Sequence, residues 1–124
     1  MKEYQYFMQD FKVNILGSEW TVKFGTVEEY PNLEDMDGYT DSSTREIIVD
    51  DMKSQQDMPG SKKNMEEYKK QVVRHEIIHA FLCESGLDTN SGASDNWAIN
   101  EEMVDWFAIQ SPKIFKAFED LGLM

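Results

Sequence analysis

The segment Arg74-His75-Glu76-Ile77-Ile78-His79-Ala80-Phe81 holds both histidines of a 124-residue chain. Its surroundings predict a helix over residues 64–85, with Asn64 and Glu67 as a capping pair at the start and Gly86 placed to end it. At roughly 100° per residue, Val73, Ile77 and Phe81 fall on one side of that helix, and His75 and His79 on another. Val72, Ile78, Ala80, Leu82 and Cys83 fill much of what lies between. A helix apolar nearly all round is expected to be central and buried. Two imidazoles on such a helix carry a desolvation cost unless something partners them.

Stacked one turn apart, the two rings can meet a single ion. Neutral imidazole suits zinc, with nitrogen roughly 2.0–2.1 Å from the metal. Glu76 follows the first histidine directly, so it flanks the ion and is placed to take a proton from a metal-bound water and pass it to a leaving amine. Two histidines leave the donor set short, and the chain has no third. Cys83 lies on the same helix, where a third consecutive turn cannot easily surround a tetrahedral ion, and it reads as a small packing residue. The remaining ligand is sought in AINEEMVDWFA, residues 98–108. There Glu101 and Asp105 repeat the one-turn spacing, so one carboxylate can bind metal while the other supports the site. Asp105 is suited to hold a ring N–H of His75, and the side-chain oxygen of Asn100 to hold His79. Acidic residues at a helix start would account for Glu101 and Glu102 alone, but not for Asp105, deeper in the helix between Val104 and Trp106.

Upstream of this helix the pattern changes period. In FKVNILGSEWTVKFGTV, Phe11, Val13 and Ile15, then Trp20, Val22 and Phe24, alternate on either side of Gly17-Ser18, which predicts a hairpin. YPNLEDMDGYTDSST is rich in turn formers, and REIIVD is a short β-branched run that reads as a further strand. The acidic stretch Glu34-Asp35-Met36-Asp37-Gly38 lacks the alternating ligands of a calcium loop and reads as a solvated turn. Downstream, one helix is expected over residues 97–109, and Ser111-Pro112 is expected to open a third. The order predicts an α+β domain: an antiparallel or mixed sheet of about three strands packed on a central helix, then two C-terminal helices. A chain of this length is expected to form one domain over 1–124, with its metal-site core at about 65–109.

Charge and cysteine use narrow the setting. A net charge of -12 repels phosphate backbones, so a nucleic-acid ligand is disfavoured and a basic partner or substrate favoured. No apolar stretch reaches bilayer length, MKEYQYFMQDFK does not read as a signal peptide, and one cysteine fits a reducing cytoplasm.

His75-Glu76-Ile77-Ile78-His79 together with Asn100-Glu101-Glu102-Met103-Val104-Asp105 resembles the gluzincin group of zinc metallopeptidases. Glu101 lies 22 positions beyond His79, close to the thermolysin-like arrangement. The resemblance covers about residues 65–109. It implies that His75, His79 and Glu101 bind one zinc ion, that Glu76 is the general base, and that Asp105 and Asn100 support the ligands. It also implies that the strand at residues 45–49 is the edge strand that lines the cleft and pairs with an extended substrate. In size the chain is similar to minimal single-domain gluzincins and to compact zincins of phages and mobile elements, including the ImmA/IrrE family. Larger gluzincins add a downstream histidine or tyrosine for the oxyanion; nothing after Asp105 is either, which leaves Tyr39 and Tyr68 as candidates.

The function expected is therefore hydrolysis of a protein or peptide. The alternatives are a zinc-binding interaction domain with little or no peptidase activity, and an acidic inhibitor of the kind some phages encode.

Overall fold

The first two strands are joined by a turn in which Leu16 (φ 52°) and Gly17 (φ 92°) both adopt left-handed backbone. That conformation matches the twist of a two-residue hairpin, and the side chain of Asn14 accepts the Gly17 N–H at 3.0 Å. Strand β1 (Phe11–Ile15) thus pairs antiparallel with β2 (Ser18–Gly25), in the register Ile15↔Ser18, with Ser18 in the strand and the turn one residue earlier than expected. This computed structural model describes residues 9–53, 64–87 and 100–124.

Two more strands complete a mixed sheet of order β1-β2-β4-β3. Strand β4 (Glu46–Asp50) runs parallel to β2, and β3 (Gly38–Asp41) antiparallel to β4. β3 lies inside the stretch read as turns: four residues bounded by Gly38 and Asp41 are too short to show an alternation. The expected edge strand also needs correcting. Residues 46–50 are interior, because a β-branched run with apolar residues on both faces is what a strand covered on both sides requires. Ile47 and Val49 are fully buried on one face and Ile48 is nearly so on the other, where the short 3-10 turn Pro31–Leu33 buries Leu33 against β4. Among the described residues the edge strand on that side of the sheet is β3.

Helix α1 (Met65–Glu84) forms where its caps predict: Asn64 accepts the Glu67 N–H at 3.2 Å, and Gly86 takes a φ of 87° beyond the C-cap Ser85. Its buried stripe is Lys69, Val72, Val73, Glu76 and Ala80, and these apolar members join Ile15, Trp20, Val22, Ile47, Val49 and Met52 in the core. The stripe differs from the expected one. Glu76 is inside it, whereas Phe81 is 39% exposed, since only one flank of the helix faces the sheet.

Helix α2 (Glu101–Asp120) continues unbroken through Ser111-Pro112, where two helices were expected; Trp97, their expected start, lies outside the described residues. Proline at 112 removes the N–H that would bond the Ala108 carbonyl. That carbonyl instead accepts from Arg74 Nε of α1 at 2.7 Å, so the ladder gap is filled across the helix–helix contact. Val104, Ala108 and Ser111 form the buried stripe of α2. The architecture is α+β, and among the described residues it is a four-stranded mixed sheet, then two helices. Among the described residues no helix is long and apolar enough to cross a membrane.

Candidate metal centre

His75 and His79 leave one flank of α1 and bring their Nε2 atoms to 3.2 Å. The rings stand 4.9 Å apart, tilted 62° to one another. From the first turn of α2, Glu101 places Oε1 at 2.5 Å from His79 Nε2 and 3.5 Å from His75 Nε2. All three ligand atoms lie within 4.8 Å of one another. Donors on a tetrahedral ion at roughly 2.0–2.1 Å stand about 3.3 Å apart, so two of the three separations match such an edge and the third is tighter. Three electron-rich atoms aimed at one point repel each other unless a proton or a cation sits between them. An N, N, O donor set at these separations is one that a single divalent ion can take.

Asp105, one turn after Glu101, sets Oδ1 3.3 Å from His75 Nδ1. A His75 tautomer with its N–H on Nδ1 would turn that N–H toward the carboxylate and leave Nε2 for the site. The side-chain oxygen of Asn100 accepts the Met103 N–H at 2.8 Å, capping α2, and so fixes the helix turn that carries Glu101. Cys83 is half-buried and stands outside the donor cluster.

Glu76 is 7% exposed, in the stripe that faces the sheet. Burial pushes its carboxyl pKa up, while a hydrogen bond from Thr40 and the neighbouring histidines pull it down. Thr40 Oγ1 lies 2.8 Å from Glu76 Oε1 and 3.0 Å from the Glu76 carbonyl oxygen. β3 reaches this position because residue 38 is glycine. A Cβ there would meet Val72 Cγ1 at 3.0 Å, the Ile48 carbonyl oxygen at 3.2 Å and Glu76 Cγ at 3.3 Å.

Beside them lies a cleft of roughly 200 Å³ in which Met36, Asp37, Gly38 and Tyr68 face His75, Glu76, Glu101 and Asp105. Of the two tyrosines considered from sequence, Tyr68 is in the cleft. Its hydroxyl donates to Asp37 Oδ2, and burial, with that carboxylate second, raises its pKa far above the ordinary phenol value. Tyr39 lies between Gly38 and Thr40, which face α1, so strand alternation turns it to the other side of the sheet.

No family model matches this chain, and neither does a curated protein or a solved structure. The geometry alone therefore speaks for the site. Thr40, Gly38 and Asp37 were not identified from sequence as parts of it, and Tyr68 was named only as an oxyanion candidate. Their roles depend on β3 meeting α1, and a short Gly-x-Thr strand carries no signal of that meeting.

Proposed function

We propose that this chain is a zinc-dependent peptidase of the gluzincin type, acting on an extended protein or peptide. The observation that carries the reading is the convergence of His75, His79 and Glu101 beside a buried carboxylate, in a cleft walled by an edge strand. Zinc held by those three residues would polarise a peptide carbonyl and acidify a water molecule. Asp105 orients the His75 ring. Glu76, flanking the ligands, accepts a proton from the attacking water and delivers it to the leaving nitrogen. The edge of β3, unpaired among the described residues, offers backbone N–H and C=O groups to an extended segment laid along it. A net charge of -12 favours a basic substrate. A cytoplasmic setting belongs to the same proposal, because a single cysteine fits a reducing compartment.

One observation favours a second reading, a metal-binding domain with little turnover: the only tyrosine hydroxyl in the cleft among the described residues is engaged by Asp37 and so is not free to steady an oxyanion. Zinc content by mass spectrometry, with cleavage of a peptide library by wild type and Glu76→Gln, separates the two. The peptidase reading expects equal zinc in both proteins and a loss of cleavage of about 10²–10⁴-fold in the variant. Equal cleavage by the variant, or no zinc in either protein, would overturn it.

A further inference from the structure

We propose that Thr40 is a positioning residue for the site: its hydroxyl fixes the orientation of the Glu76 carboxylate from the edge strand. The geometry stands by itself, and its consequence for turnover rests on the peptidase reading above.

Glu76 has three side-chain torsions, and lying in the buried stripe of α1 does not by itself choose which carboxylate oxygen faces the metal ligands. Thr40 makes that choice. Its Oγ1 is 2.8 Å from Oε1 and 3.0 Å from the backbone oxygen of the same residue. A hydroxyl has one proton to donate, so the two acceptors compete for it, and both hold Oγ1 against one point on α1. Among the described residues Oε2 has no such partner, which leaves it as the oxygen for proton transfer.

The hydroxyl is itself held by rigid elements. Thr40 pairs with Ile47 of the interior strand β4. Two residues earlier, Gly38 lets the strand approach to where a Cβ would crowd Val72, Glu76 and the Ile48 carbonyl. One residue before that, Asp37 accepts from Tyr68 of α1, fastening the start of β3 to the same helix. A group placed by a strand register, a close backbone approach and a second hydrogen bond can set a carboxylate to within the few tenths of an ångström that proton transfer needs. A threonine that only satisfied a buried acid would need none of this convergence.

The test uses the zinc-loaded full chain as wild type, Thr40→Ser and Thr40→Val, with crystal structures to read the Glu76 torsions, mass spectrometry to read zinc, and a peptide library to read cleavage. Valine is close to threonine in shape and favours strands, so folding should persist; circular dichroism checks it, and the serine variant keeps the hydroxyl. The expected result for Thr40→Val is one zinc per chain as in wild type, Glu76 moved to another torsion or spread over several, and kcat lower by about 10–100-fold with KM unchanged. Thr40→Ser should restore both the torsion and the rate. A Glu76 torsion unchanged in Thr40→Val overturns the assignment whatever the activity. If wild type cleaves nothing, the peptidase reading fails, and the torsion still decides for or against Thr40.

Discussion

Arg74 sits directly before the first histidine, yet it serves the partner helix. Burial lowers its guanidinium pKa, and its Nε donates to the Ala108 carbonyl that Pro112 leaves without an N–H. Removing it in Arg74→Ala should cost about 1–3 kcal/mol, because a partly buried carbonyl loses its donor. Adding Pro112→Ala should recover part of that loss by returning the N–H of residue 112 to the same oxygen. Urea denaturation of the two single variants and the double variant measures the coupling, and strictly additive effects would contradict it. A second residue-scale prediction concerns acid. Glu84 accepts from Arg45 Nε at 2.7 Å and from Trp20 Nε1 at 2.9 Å, and these bonds, the arginine first, hold its pKa below the ordinary 4.5. A depressed folded value means the contribution is complete above 4.5 and is lost as pH falls through the lower folded value. Glu84→Gln should therefore flatten the fall in denaturation midpoint as pH drops below 4.5.

At the scale of elements, β3 decides how near the sheet comes to α1. Gly38→Ala would put a methyl group against the Ile48 carbonyl oxygen and Val72 Cγ1, one of them backbone that cannot swing aside. We expect a loss of about 1–3 kcal/mol by denaturation, with displacement of Thr40 from Glu76 visible in a crystal structure. The same element marks where sequence reasoning runs out. His75, His79, Glu101 and Asp105 are legible because a helix converts four-residue spacing directly into adjacency. Asn64 and Gly86 are legible because helix ends need caps. Thr40 is not, since its partner is 36 residues away and nothing local encodes that approach. β4 was legible as a strand but not in its place: its apolar run on both faces already implied an interior position, and the edge role came from analogy. Pro112 misled for a related reason. Proline usually starts helices, and the arginine that lets this one sit within α2 comes from another helix.

Across the whole molecule, the three candidate ligands come from both helices, His75 and His79 from α1 and Glu101 from α2. An ion bound there would join two elements that also meet through Arg74, the His75–Asp105 contact and their apolar side chains. Melting followed with zinc and with a chelator should show a higher midpoint in zinc; free ion at a thousand times Kd corresponds to about 4 kcal/mol. Glu101→Ala should keep the chelator-treated midpoint and lose most of the zinc-dependent rise, and an equal rise in that variant would show that zinc acts elsewhere. The two-helix origin of the ligands also bears on abundance. A protein whose second helix is fastened by a metal opens more often when the metal is scarce, and opened chains are what cellular proteases degrade. Zinc supply would then govern how long each molecule survives as well as what it can do.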